Sequence, residues 1–290
     1  MKIATSPINW NNEDVPDYRP WLPYPGILDE IRRAGYTATE WSHSLPRDPV
    51  RLREDLEARG LEVVGAFVGV DLKEEGRHRD EVARALETAR FLRALGASHL
   101  VVADPGDPVR RQVAGAVPKE HLLGGEALRA LARGLEELAL RVRELGLALV
   151  VHPHAGTYLE TPEEVTGLLE ATDPTLVALC LDTGHLVYGG GDPVELLRVY
   201  GDRVGYVHLK DVDPGVLEAT RGKGFAEALR RYVFAPLGTG VARVPEVVRL
   251  LRERGFTGVV VLEQDTTPDD PTETAVRNRV YVEELLARHG

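Results

Sequence analysis

Four side chains able to bind a divalent metal ion stand at intervals along the second half of the chain. They are His152, Asp182, His208 and Glu263, and each follows directly on a short apolar run. Two imidazoles and two carboxylates suit Mn²⁺ or Co²⁺ best, with Fe²⁺, Mg²⁺ and Zn²⁺ as further candidates, and leave coordination positions for water or substrate. The pattern therefore predicts a divalent metal site, and a buried network of ion pairs is the alternative interpretation.

Residues suited to proton transfer accompany these ligands. Lys210 lies two positions after His208, so both side chains are expected on the same face of one strand and in the same cavity. A lysine beside a metal acts as an acid, a base or a clamp on an oxyanion, whereas a pair with Asp211 would be structural. The candidate catalytic residues are Lys210, His154, His185 and Glu40.

A third group of polar and aromatic residues is expected to bind the substrate. Asn9 and Trp10 follow the first apolar run and would serve as a polar anchor and a wall for a small polyol, although simple packing also explains Trp10. Asp104 and Gln264 follow the fourth and eighth runs. The predicted substrate-binding set is thus Asn9, Trp10, Asp104 and Gln264.

Short apolar runs alternate with helical patterns along the whole chain, which defines the elements that carry these residues. A glycine such as Gly96 or Gly146 typically ends each helix just before the next run. Eight such units in 290 residues predict an α/β fold, a single-domain (β/α)₈ TIM barrel over residues 1–290, rather than a doubly wound sheet with a glycine-rich first turn. The strand candidates begin near Ile3, Tyr36, Val63, Ser98, Leu147, Leu176, Val204 and Thr257.

Barrel enzymes place their chemistry at the carboxyl ends of the strands, where the predicted site residues lie. The long intervals between strand candidates predict insertions at about 105–123 and 212–244 over this face. The insertions carry five basic residues that are expected above the mouth of the barrel, namely Arg110, Arg111, Lys119, Arg221 and Lys223.

Composition excludes several classes of protein. The 35 basic and 46 acidic residues give a net charge of −11, which argues against a nucleic-acid partner. No apolar run is long enough for a membrane span or a signal peptide, so a soluble cytoplasmic protein is expected, and the homo-oligomeric state stays open. The 30 arginines against 5 lysines, with only four asparagines and two glutamines, are typical of thermophiles.

Several segments are similar to a known family. The stretches 180–185 (CLDTGH) and 207–211 (VHLKD) resemble the xylose-isomerase-like superfamily of sugar isomerases, epimerases and dehydratases. The stretches 6–14 (SPINWNNED), 152–157 (HPHAGT) and 263–265 (EQD) resemble its inosose dehydratase branch. The superfamily typically has Glu, Asp, His and Glu around its metal, whereas this chain has His152 at the first position, or His154 if that ring faces the metal.

The resemblance implies a metal-dependent lyase that removes water from an inosose or a similar cyclic polyol ketone through an enolate. Polarising the carbonyl would acidify the α-hydrogen, a base would remove it, and an acid would protonate the leaving hydroxyl. The nearest alternative is a sugar or sugar-phosphate isomerase or epimerase on the same site. A metal nuclease and a non-catalytic polyol-binding barrel are the more distant alternatives.

Overall fold

Eight parallel strands close into a barrel in the computed structural model, which describes residues 1–288. Each strand pairs with its neighbour in sequence, and the eighth barrel strand, β10, closes the ring by pairing with β1. The prediction of a (β/α)₈ barrel is confirmed. The barrel strands are β1 (Lys2–Thr5), β2 (Ala38–Trp41), β3 (Glu62–Gly69), β4 (His99–Ala103), β5 (Ala148–Val151), β6 (Ala178–Asp182), β7 (Val204–Leu209) and β10 (Val259–Leu262). The short strands β8 (Asp211–Val212) and β9 (Phe234–Ala235) pair antiparallel outside the barrel.

Helices connect the strands, and their ends follow local chemistry. Gly96 has a φ of 79° and ends α3 in the left-handed conformation, which costs a glycine little. Thr161 and Glu164 form a reciprocal capping box at the start of α6. The helices are α1 (Tyr24–Arg33), α2 (Pro49–Glu57), α3 (His78–Leu95), α4 (Pro108–Val113), α5 (Gly125–Glu144), α6 (Pro162–Ala171), α7 (Thr183–Tyr188), α8 (Pro193–Tyr200), α9 (Pro214–Thr220), α10 (Phe225–Arg230), α11 (Val244–Glu253) and α12 (Pro271–Arg288). None of the helices in residues 1–288 is both long and apolar enough to cross a membrane.

Two apolar layers hold the barrel. Small and branched side chains such as Val64, Val101 and Val261 fill its interior. A larger layer lies between the strands and the surrounding helices, where α5 contributes Leu131 and Leu138. Because these layers leave little room for polar groups, buried polar side chains concentrate beyond the strand ends.

The two insertions contain secondary structure and pack closely. The segment 105–123 contains α4, and the segment 212–244 contains α9, α10, β8 and β9. Phe225 and Phe234 form a separate apolar cluster with Val15, from the loop after β1. The insertions are therefore anchored to the barrel by a small core of their own.

Three of the basic residues predicted above the mouth do not line the cavity there. Arg221 is exposed and donates to the Gly115 carbonyl instead. Arg110 is fully buried, and its two terminal nitrogens each donate to a different carboxylate oxygen of Glu164 at 2.8 Å. Lys119 is exposed but does not line the cavity at the mouth. The expectation for Arg110 is wrong because its partner lies 54 residues away on α6, a pairing that no local pattern reveals.

Arg110→Met is expected to destabilise the protein by about 3–5 kcal/mol, because it leaves the Glu164 carboxylate buried without its cation. Urea unfolding at neutral pH measures this difference. Arg111→Met is the matched control, since the Arg111 side chain is exposed and its loss should change stability by no more than about 0.5 kcal/mol. Equal effects of the two substitutions would contradict a stabilising role for the buried pair.

Candidate metal centre and active site

The four predicted metal ligands meet at one point above the barrel. They stand at the ends of β5, β6, β7 and β10, which are neighbours in the ring. His152 Nε2 lies 3.4 Å from Asp182 Oδ2 and 3.3 Å from His208 Nδ1. His208 Nδ1 lies 3.6 Å from Asp182 Oδ2 and 3.1 Å from Glu263 Oε2. Ligand atoms about 2.1 Å from a common ion lie about 3–3.5 Å apart, so these separations fit a metal centre.

The charges around this point also fit a cation. Three buried carboxylates, those of Asp182, Glu263 and Asp265, lie within 3.4 Å of the Lys210 ammonium, and a fourth, that of Glu40, contacts His208. Buried negative charge of this size needs compensation. Asp182 Oδ2 has no hydrogen-bond partner among the described residues, although it is fully buried. A divalent ion held by His152, Asp182, His208 and Glu263 would satisfy that oxygen and reduce the excess charge.

Glu40 contacts the candidate metal ligand His208 on the side away from the other three candidate ligands. Its Oε1 lies 3.1 Å from His208 Nε2 and accepts a hydrogen bond from the Tyr206 hydroxyl at 3.0 Å. A carboxylate at one ring nitrogen holds the proton there and leaves the other nitrogen, Nδ1, free to bind a metal. These contacts suit Glu40 to position His208, and because Glu40 also lines the cavity, its role as an acid or base stays a prediction.

Glu40→Gln is expected to weaken metal binding about 10–100-fold, the usual effect of removing a partner behind a metal ligand. The amide can still accept from His208, but it no longer favours the tautomer with a free Nδ1. Metal titration against a competing chelator measures the change. Unchanged affinity would show that His208 is oriented without Glu40.

Lys210 is held by carboxylates on three sides. Its Nζ lies 2.9 Å from Asp265 Oδ1, 3.0 Å from Glu263 Oε2 and 3.4 Å from Asp182 Oδ2. Burial alone would lower the pKa of Lys210, but these carboxylates raise it well above its ordinary value. Lys210 lines the cavity, as its spacing from His208 predicted, and its raised pKa favours the positively charged form.

His154 and His185 stack on each other beside Lys210, with ring centres 3.8 Å apart. His154 Nδ1 donates to the Ala155 carbonyl at 2.9 Å, so its Nε2 carries the free lone pair. Burial lowers the pKa of His154 to about 3, which keeps the ring neutral. His185 lies behind it with Nε2 at 3.1 Å from Lys210 Nζ, and only His154 of the two lines the cavity.

The cavity above these residues has a volume of about 780 Å³, which is ample for a cyclic polyol. Phe67 on β3 is 40% exposed, lines the cavity and packs nearly perpendicular to the His152 ring, so it forms an apolar wall. Asp104 reaches the cavity as predicted, where it pairs with Lys73. Phe67 was not among the predicted site residues, although it lies in the carboxyl-terminal part of β3.

Three of the predicted substrate-binding residues do not reach this cavity. Trp10 is only 1% exposed, and its indole nitrogen donates to Thr272 at 2.9 Å. Asn9 bonds to Thr5 and to the backbone of residues 262 and 264, which ties β1 to β10. Gln264 bonds to Asn278. These assignments are wrong because the turn after β1 directs both side chains back into the packed interior, and because Gln264 lies on the opposite face from Glu263.

Comparisons of this chain with family models and with known proteins agree on one family. The family model of the xylose isomerase-like TIM barrel matches residues 28–282. An inosose dehydratase of Geobacillus kaustophilus is 35% identical over 295 residues, covering 99% of this chain and 95% of that protein. An inosose dehydratase of Clostridium perfringens is 33% identical over 289 residues, covering 98% of this chain and 97% of that protein.

Solved structures share the fold at lower identity. The IolI protein with a bound zinc atom has a TM-score of 0.72 at 17% identity, over 100% of this chain and 99% of that one. The probable 3-DHS dehydratase AsbF of Bacillus anthracis has a TM-score of 0.71 at 14% identity, over 98% and 99% of the two chains. The chain therefore belongs to the xylose isomerase-like TIM-barrel family and, within it, to the inosose dehydratases.

Proposed function

We propose that this protein is a metal-dependent hydro-lyase that removes water from an inosose, a cyclic polyol ketone. The observation that carries the proposal is the meeting of four metal-ligating side chains, a charged lysine and a neutral histidine in one cavity. Its membership of the inosose dehydratase family supports the choice of substrate.

The metal centre consists of His152, Asp182, His208 and Glu263. A divalent ion bound there would polarise the ketone oxygen and acidify the adjacent carbon-bound hydrogen. The nitrogen and oxygen donors suit Mn²⁺ or Co²⁺, and the zinc bound by the related IolI structure makes Zn²⁺ a direct competitor.

Lys210 stabilises the negative charge that develops on the substrate oxygen. Its ammonium lines the cavity and is fixed by Asp182, Glu263 and Asp265, so it needs little rearrangement when the charge forms. His185 packs against Lys210 and His154 and positions both of them.

His154 is the base that removes the α-hydrogen. Its Nδ1 proton is committed to the Ala155 carbonyl, which fixes the ring and presents the lone pair of Nε2. The low pKa keeps the ring unprotonated at neutral pH, and the negative charge of the forming enolate would raise that pKa and stabilise the protonated ring.

Turnover of 2-keto-myo-inositol tests the proposal. The protein is stripped of metal and reloaded separately with Mn²⁺, Co²⁺ and Zn²⁺. The reaction of each preparation is followed by the ultraviolet absorbance of the enolised dione. We expect absorbance to grow only with the reloaded protein. A ketose epimer without absorbance change, formed by the same loaded protein, would favour an epimerase and overturn the proposal.

A further inference from the structure

Asp14 lines the same cavity as Lys210 and His154, on the loop that follows β1. Loss of a β-hydroxyl requires an acid, because hydroxide leaves poorly without a proton. The Lys210 ammonium is held by three carboxylates, and His154 serves as the base that removes the α-hydrogen. The elimination therefore lacks an acid among the residues already assigned.

The backbone around Asp14 is fixed to the barrel. The buried side chain of Asn12 accepts hydrogen bonds from the N–H groups of Asp14 at 2.8 Å and Val15 at 3.1 Å. The amide of Asn12 in turn donates to the Asp265 carbonyl, just beyond β10, at 3.0 Å. Val15 is buried in the apolar cluster of the insertions. These contacts hold Asp14 at a set position above the site.

The carboxylate of Asp14 itself is open to the cavity. It makes no hydrogen bond to any residue in 1–288, whereas most other acids that line the cavity have a partner. Glu13 pairs with His43, and Glu227 pairs with Arg231. Glu87 is also free, but it lies on the outer helix α3, away from the strand ends.

The surroundings of Asp14 favour a proton on it. Asp14 is exposed at the cavity mouth, but the protein crowded around its carboxyl group raises the pKa of Asp14, and the positive charges of Lys210 and Arg111 only partly oppose this effect. A carboxyl group with a raised pKa is suited to donate a proton at neutral pH. The raised pKa thus agrees with the geometry of an unpaired acid on a fixed loop.

We propose that Asp14 is the general acid that protonates the departing hydroxyl, a role that rests on the dehydratase function proposed above. The C–H bond beside the ketone breaks, its proton moves to His154 and its electron pair forms the enolate. The C–O bond of the β-hydroxyl then breaks as the enolate electrons form the C=C bond. The hydroxyl takes the Asp14 proton and departs as water. Return of a proton from His154 to Asp14 through solvent restores both groups.

Comparison of Asp14→Asn with His154→Ala in deuterium oxide tests this assignment. Dione formation is followed by absorbance, and deuterium in the recovered inosose is measured by nuclear magnetic resonance. Asp14→Asn should lose about 10²–10⁴-fold in dione formation, the usual contribution of a general acid. It should still incorporate deuterium at the α-carbon, because His154 is intact, and His154→Ala should lose both signals.

Asp17→Asn is the matched control, because Asp17 lies on the same loop, is exposed and pairs with Arg230. It should form dione at the wild-type rate, and both aspartate variants should keep the wild-type unfolding temperature. Asp14→Asn that forms dione normally, or that loses deuterium incorporation together with elimination, overturns the role of Asp14. Wild-type protein that forms no dione overturns the proposed function, and the role of Asp14 with it.

Discussion

Asp182→Asn is expected to lose metal affinity by at least about 100-fold and turnover by at least about 10³-fold. The substitution removes a charged ligand from the metal centre, an effect that should exceed the loss of a partner behind a ligand. Asp182 Oδ1 also caps α7 by accepting from the His185 N–H at 2.8 Å, and the amide oxygen of asparagine preserves that hydrogen bond. The fold should therefore survive.

Metal content after dialysis and circular dichroism of the same sample separate these two effects. Asp48→Asn is the control, because Asp48 also caps a helix, α2, but lies outside the cavity. It should keep both metal and turnover. Normal metal content in Asp182→Asn would mean that the buried charges form an ion-pair network instead of a metal centre.

Lys210→Met is expected to reduce turnover about 10²–10⁴-fold while the protein keeps its metal. Methionine fills a similar volume without the ammonium that would stabilise the developing negative charge. The metal ligands Asp182 and Glu263 lose a competing cation, so metal affinity should not fall. Steady-state kinetics and metal content, measured on one preparation, test both statements.

Lys119→Met controls for the loss of one positive charge, since Lys119 is exposed and does not line the cavity. Near-normal turnover of Lys210→Met would remove Lys210 from the mechanism. Loss of metal in this variant would make the ammonium a structural part of the centre.

The sequence predicts most of the barrel because each strand is a short apolar run between helices that end in glycine. The same regularity predicts the side chains that share the cavity, since residues two apart on a strand lie on one face. His208 and Lys210 both line the cavity, and Glu263 and Asp265 both contact the Lys210 ammonium. The rule also explains the misassignment of Gln264. This residue lies between Glu263 and Asp265, and its side chain points away from the cavity to contact Asn278.

Residues beyond the strand ends escape such prediction because the path of a loop depends on distant partners. Trp10 turns into the core to reach Thr272, which is 262 residues away. Asp14 turns toward the cavity because Asn12 bonds to the backbone of residue 265. Neither direction is encoded in local periodicity, so the segment after β1 gave two wrong assignments, Asn9 and Trp10, and the omission of Asp14.

The mass of the product formed from inosose tests the central claim most directly. Metal-loaded protein is incubated with 2-keto-myo-inositol, and the mixture is analysed by mass spectrometry. The account predicts a product lighter than the substrate by one water, absent when Asp182→Asn replaces the wild-type protein. A product of unchanged mass, formed by rearrangement of the same polyol ketone, would contradict it.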